Sequence, residues 1–296
     1  MQFPKVLVLG ATGRIGTILR KCWPQGPQGP LWQSRTPRPG PGWIVLDPLR
    51  DPAALARAAS GCQAILCLAG VVPGRGQTAD PRDNIALAEA ALRAGAAAGQ
   101  GGAPSRVFLA SSAAVYGAAP GLLHEDMALA PVSDYGRAKA AMEARAAALG
   151  RELGVPVTSL RIGNVAGVDA ILGGWAPGFQ LDRFADGTTP RRSYIGAITL
   201  ARVLGELLAA ADLPDVLNIA APGAIRMGAL LQAADLDWTP RPAPDTAIPD
   251  VRLCTDRLQR FTRFAPADST AAAMVAEWRR LTSDPDGTDR GRAETE

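Results

Sequence analysis

The chain has one histidine in 296 residues, His124. A metal centre or a relay built on several imidazoles is therefore excluded. The four cysteines, Cys22, Cys62, Cys67 and Cys254, lack metal-ligand spacing. They read as reduced, mostly buried thiols. No apolar run reaches 18 residues, so no spanning helix is expected and a membrane is not a partner. The start, Met1 to Gly10, has no basic segment and no small-residue cleavage site after its apolar run. It reads as a strand rather than a leader, and a cytoplasmic location is expected. Charge of neither sign is concentrated: 31 Lys and Arg oppose 28 Asp and Glu, with no long basic block. Nucleic acid is thereby a poor candidate partner. No internal repeat is visible. With 47% apolar and 20% charged residues, the chain has the composition of a folded globular protein with a sizeable core.

Against those absences, glycine is placed with purpose. Val6 to Leu9 is a continuous apolar run of the kind buried on both faces of a parallel sheet. It leads into Gly10-Ala-Thr-Gly13-Arg14-Ile15-Gly16, and a helix is expected from Ile15 to Cys22. Glycines at the first, fourth and seventh positions, after a strand and opening a helix, make a dinucleotide-binding turn. The first permits the tight turn, the second lets a pyrophosphate approach the backbone, and the third lets helix and strand pack closely. The helix start offers N–H groups and a positive dipole end to phosphate. The second strand, Leu31 to Arg35, ends on Ser34 and Arg35 without the acidic residue that binds a ribose 2′-hydroxyl in NAD-preferring sites. A guanidinium suits a 2′-phosphate, and Arg14 stands inside the turn, so the expectation leans to NADP over NAD.

Further strands are expected at Trp43 to Leu46, ending at Asp47, at Gln63 to Gly70, ending in small residues, at Arg106 to Ala110 and at Val157 to Arg161. Helices are expected from Pro52 to Ala59, capped by Asp51, from Asp83 to Gly99, containing Asn84, and from Ser133 to Leu153. The alternation predicts an α/β fold with a doubly wound parallel sheet. The Ala-rich helix after Asn84 suits close packing and leaves room for a helix-mediated homodimer. After Gly163 the texture changes. Residues 173–190 read as excursions over a cofactor rather than sheet. A helix (Thr199 to Ala211), a strand (Val216 to Ile219), a helix (Met227 to Ala234), a Pro-rich loop (Pro240 to Pro249) and an amphipathic helix (Ala271 to Leu281) follow. The expected organisation is a dinucleotide-binding core over 1–165, a mainly substrate-binding lobe with returning core elements over 166–282, and a disordered tail over 283–296.

Tyr135 and Lys139, four apart on one helix, share a face. An ammonium beside a phenol favours phenolate, and such a phenol can act as acid or base near neutral pH. Ser112, at a strand end, is positioned to bond the same oxygen.

Together these residues resemble the extended short-chain dehydrogenase/reductase family, in its branch of NAD-dependent epimerases and dehydratases. The resemblance covers roughly residues 4–220. It rests on the glycine turn, on Ser111-Ser112-Ala-Ala-Val-Tyr116-Gly117, on Glu125 through Pro131 to Tyr135-Gly-Arg-Ala-Lys139, and on Arg161-Ile162-Gly-Asn164-Val-Ala-Gly167. It implies a Rossmann core, and Ser112, Tyr135 and Lys139 as catalytic residues, with Lys139 also binding ribose and lowering the Tyr135 pKa. It implies dinucleotide contacts at Gly10, Gly13, Arg14, Ile15, Gly16, Ser34, Arg35, Asp47, Leu68, Ala69, Gly70, Asn84 and Ile162. It implies substrate contacts at Ser112, Tyr135 and Asn164, with no metal. Two departures stand out: Ala138 replaces a usual Ser, and Arg192 to Ile198 lacks the family's His and Asp. The substrate is then a small molecule, either a nucleotide sugar or a simpler ketone, aldehyde or alcohol. A non-catalytic NADP-sensing protein is the alternative from another class. His124 is expected in a surface loop and Tyr116 in a structural role. Trp175 and Phe179 either cap the pocket or anchor the lobe.

Overall fold

The structure is a computed structural model, and residues 3–71, 80–99 and 103–283 are described. The expected tail, from 284 onward, lies outside them.

Seven strands, β1 (Val6–Leu9), β2 (Leu31–Ser34), β3 (Trp43–Val45), β4 (Ala64–Cys67), β5 (Arg106–Ser112), β6 (Val157–Ile162) and β7 (Val216–Ile219), form one sheet in the order 3-2-1-4-5-6-7. Every neighbouring pair is parallel. The reversal at β1, where the chain turns from one half of the sheet to the other, opens a crevice at the strand C-termini. Alternate side chains serve two cores. Val6 and Val8 of β1 join Leu66, Phe108 and Leu160 under α1 (Arg14–Cys22) and α5 (Ala197–Ala209). Leu7 and Leu9 join Ile65, Val107 and Leu109 under α2 (Pro52–Ala59), α3 (Asp83–Ala98) and α4 (Asp134–Leu153). The Ala-rich face of α3 packs closely, with Ala88, Ala91 and Ala94 all buried in that second core.

A third core gathers Ile171, Leu172, Leu181, Tyr194, Leu230 and Leu231 with α6 (Met227–Ala233) and α7 (Ala271–Thr282). Short ladders frame it: Asn164–Val165 with Tyr194–Ile195, and a four-stranded sheet containing Arg191–Arg192 and Asp250–Leu253. Trp175 and Phe179 pack against this core, so they anchor it.

Three local expectations are corrected. Asp51 stands at the start of α2 but makes no side-chain cap; its carboxylate accepts the Asp47 N–H at 3.1 Å instead. Residues 173–190 are not free excursions. Gln180–Arg183 pairs in parallel with Thr239–Pro242, which also removes part of the expected Pro-rich loop. Period-two alternation explains how a strand carries Pro240 and Pro242. The intervening positions carry the donors, and the Thr239 and Ala243 N–H groups bond Phe179 and Arg183 carbonyls at 3.0 Å.

Candidate active site

Gly10 ends β1 with φ +76°, and a Cβ there would stand 2.6 Å from the Ala69 nitrogen. Only glycine allows β1 and β4 to end this close together. The α1 helix then begins at Arg14 with Gly13 as its N-cap and no side-chain cap, so its first N–H groups remain open. That uncapped turn is a cradle suited to a pyrophosphate. Gln33 of β2, not among the expected site residues, fixes it from beneath: its Oε1 accepts Gly10 N–H at 2.9 Å and its Nε2 donates to the Leu46 carbonyl at 2.8 Å. A buried glutamine on a central strand was the available signal.

A cavity of about 590 Å³ runs from this turn across the C-termini of β1, β4, β5 and β6. Of the expected residues, Gly10, Gly13, Arg14, Ile15, Gly16, Leu68, Gly70, Ser112, Tyr135, Lys139, Ile162 and Asn164 line it. Ser34, Arg35, Asp47, Ala69 and Asn84 do not. Ser34 is buried and bonds the Thr36 carbonyl at 2.7 Å. Arg35 is exposed beyond the end of β2. Asp47 caps its own turn, accepting Leu49 and Arg50 N–H groups at 2.9 and 3.3 Å. Asn84 acts as a clamp behind the wall, bonding both the N–H and the carbonyl of Val71 at 3.2 Å.

Ser112 closes β5, and its hydroxyl accepts the Ala114 N–H at 3.2 Å, starting a 3₁₀ turn over Ala113–Tyr116. The first turn of α4 packs directly on that 3₁₀ turn. A Cβ at Gly136 would run into the Ala114 carbonyl, so glycine after Tyr135 is what brings Tyr135 against Ser112. Ser133 caps α4 through Gly136 N–H at 3.1 Å. Tyr135 and Ser112 thus line the same cavity.

Three influences act on the Tyr135 phenol in the free chain. Burial pushes that phenol above its usual value, opposed by the Ser112 hydrogen bond and the positive charge of Arg14. The Lys139 ammonium is buried, donates to the Ala110 carbonyl at 2.8 Å, and lies 5.9 Å from the Tyr135 ring centre. Burial pulls Lys139 down to about 8, against the pull of Cys67 and Glu143. A prediction follows from that shift. Between pH about 8 and 10.5, the folded chain holds less of this proton than the unfolded one, so this lysine's penalty is relieved as pH rises and is full below 8. Thermal unfolding of the parent should therefore gain on Lys139→Met across that window. Parallel pH profiles for the two proteins would sink the assignment.

Beneath Ser112 lies a buried polar network. Arg161 grips Glu143 at 2.8 Å, and it donates to the Tyr116 hydroxyl at 2.9 Å and the Glu125 carbonyl at 3.0 Å. Ser111 donates to Glu143, and Tyr116 donates to Asn218 at 2.8 Å. Tyr116 is thus structural, and His124 is exposed in its loop. Glu143 was legible in principle, since a carboxylate one turn beyond Lys139 on the buried face of a helix requires a partner.

The missing His and Asp of 192–198 are answered from another element. Glu277 of α7 accepts the Ile198 and Thr199 N–H groups at 2.8 and 2.9 Å and the Thr199 hydroxyl at 2.6 Å, so it caps α5. Among the described residues, no His, Cys, Asp and Glu cluster could hold a metal ion, and no helix is long and apolar enough to cross a membrane.

Residues 6–174 match the model of the NAD-dependent epimerase/dehydratase family. The chain belongs to that family. Among curated protein sequences none matches the chain. Solved structures share the fold of this family member. MoeE5 in complex with UDP-glucuronic acid and NAD is 24% identical, covering 93% of this chain and 99% of its own, with a TM-score of 0.70. UDP-N-acetylglucosamine 4-epimerase from Methanobrevibacter ruminantium is 19% identical, covering 96% and 99%, with a TM-score of 0.73. The dTDP-glucose 4,6-dehydratase DesIV from Streptomyces venezuelae, with NAD bound, is 21% identical, covering 93% and 97%, with a TM-score of 0.69.

Proposed function

We propose that this family member is an NAD(P)-dependent oxidoreductase of the epimerase/dehydratase type, acting at a substrate carbinol or carbonyl carbon. The observation that carries the reading is the convergence of Ser112 and Tyr135 on the wall of the same cavity as the uncapped glycine turn. When bound, the nicotinamide supplies the hydride acceptor or donor. The chain's own residues do the rest. Tyr135 gives its phenolic proton to a carbonyl oxygen or takes one from a hydroxyl. Ser112 holds that same oxygen by a second hydrogen bond. Lys139, fixed on the Ala110 carbonyl, stands where it can bond ribose hydroxyls. Asn164 contacts the substrate, and residues 166–282 act as the substrate-binding lobe. The test is hydride transfer with Tyr135 intact and with Tyr135→Phe, measured at the nicotinamide absorbance.

The dinucleotide preference is a separate part of this reading. NAD appears with two of the three structural neighbours described above. In this chain β2 ends without a carboxylate, and Arg35 projects from that end into solvent. We expect fluorescence titration to show NADPH binding about tenfold more tightly than NADH, because a guanidinium pairs with the 2′-phosphate. Arg35→Ala should erase the difference while leaving NADH binding unchanged. Equal affinities in the parent chain would remove the basis for it.

A further inference from the structure

We infer that Arg14 is a positioning residue that ties the glycine turn to the Asn164–Asp169 loop and thereby slows release of the dinucleotide. The inference rests on the turn's being the dinucleotide cradle and goes beyond it. Arg14 opens α1, Val168 stands 154 positions later, and both line the cavity. The Arg14 Nη1 donates to the Val168 carbonyl. That contact joins the turn to a loop that runs on to Ile171 and Leu172 of the third core. Lys139, the other cation among the described residues lining the cavity, is tied to the sheet instead, at the Ala110 carbonyl of β5 at 2.8 Å.

The loop is the fixed side of this tie. Its Ala166 N–H bonds the Ile195 carbonyl and its Val168 N–H bonds the Val165 carbonyl, both at 3.0 Å. Gly167 turns with φ +84°, and a Cβ there would stand 2.1 Å from a ring carbon of Trp278 on α7. Asp169, which follows Val168, accepts the Tyr194 hydroxyl at 2.7 Å and the Leu172 N–H at 3.1 Å. Its carboxylate thus serves the loop and its surroundings, while the guanidinium takes the carbonyl before it. The arginine is the movable side, since its side chain is exposed. One exposed hydrogen bond contributes little alone. A guanidinium, however, carries five N–H donors in a planar fork, and with one given to Val168 the others can pair two phosphate oxygens. A pyrophosphate in the turn then holds the guanidinium, and the guanidinium holds the loop, so each contact strengthens the other. The Val168 carbonyl is neutral and does not steer an incoming anion, but its bond must break for the dinucleotide to leave with the arginine released. The effect therefore falls on release rather than capture.

The test is stopped-flow release of NADPH and NADH from the full chain, read by nicotinamide fluorescence with the oxidised dinucleotide as trap. Arg14→Met should raise the release rate at least about tenfold and leave the association rate within about threefold. Gly167→Ala shifts the loop without touching the turn and should raise release by roughly three- to tenfold. The double variant should release no more than about twofold faster than Arg14→Met, because both changes break one tie. Trp278→Leu loosens the same loop from α7 and takes the place of Gly167→Ala if circular dichroism shows that variant unfolded. NADH and NADPH should respond alike, since both carry the pyrophosphate. Release rates that multiply in the double variant, loop variants with the parent's rate, or a loss of affinity confined to association each overturn the inference. Acceleration seen with NADPH alone also overturns it, by placing Arg14 on the 2′-phosphate. A parent chain that binds neither dinucleotide overturns the cradle itself, whereas binding with release unchanged in Arg14→Met overturns only the tie.

Discussion

Tyr135→Phe is expected to lower kcat by about 10²–10⁴-fold, the usual contribution of a positioned acid or base, while dinucleotide affinity stays within about threefold. The reason for the split is geometric. Tyr135 and Ser112 line the cavity from α4 and β5, whereas the glycine turn that suits the pyrophosphate lies at the end of β1 and start of α1. Removing one oxygen leaves the ring, its packing and the turn in place. Steady-state rates on any ketone that the parent reduces, together with NADPH fluorescence titration, make the comparison. A variant with the parent's rate would remove Tyr135 from the chemistry. Dinucleotide binding with no turnover of any substrate by the parent would favour a sensing protein. Burial raises the phenol in the free chain, so at neutral pH Tyr135 is protonated.

Glu143→Ala is expected to destabilise the fold by roughly 3–5 kcal/mol, the range for breaking a buried pair and leaving one charge unanswered. Both side chains of the Arg161–Glu143 pair are almost wholly removed from solvent. Arg161 would keep only the Tyr116 hydroxyl and the Glu125 carbonyl, and Ser111, adjacent to Ser112, would lose its acceptor. For a chain of this size the loss corresponds to a fall in Tm on the order of 10 °C. Circular dichroism melts can read it directly, and a fall under about 2 °C would mean that water replaces the carboxylate at little expense. Replacing both members, Arg161→Met with Glu143→Leu, should recover much of the loss, because the penalty lies in the unpaired charge rather than in the missing attraction.

Much of the site was legible in the residue order. The glycine turn, Ser112 and the Tyr135–Lys139 pair are local patterns, and each sits on the element that local pattern predicts. What was not legible depended on distant neighbours. Residue order does not say where the ends of β2 and β3 come to lie, and there Arg35 and Asp47 stand outside the cavity lining. Four residues make one helical turn and put Lys139 on the Tyr135 face, but only the fold brings its ammonium to the Ala110 carbonyl on β5. Thr239–Pro242 read as loop because Pro opposes strand, and only its partner Gln180–Arg183 makes it one.

By itself, the sequence determined the class of fold, the family, and the residues that converge above the sheet, because alternating apolar runs and helix periodicity act within a few residues of each other. Tertiary structure alone decided which charges are answered and by whom: Glu277 capping a helix from 78 positions away, Arg161 closing on Glu143, and Asp169 facing the cavity. A charge is stabilised or penalised by what lies within a few ångströms in space, and that neighbourhood exists only once the chain has folded.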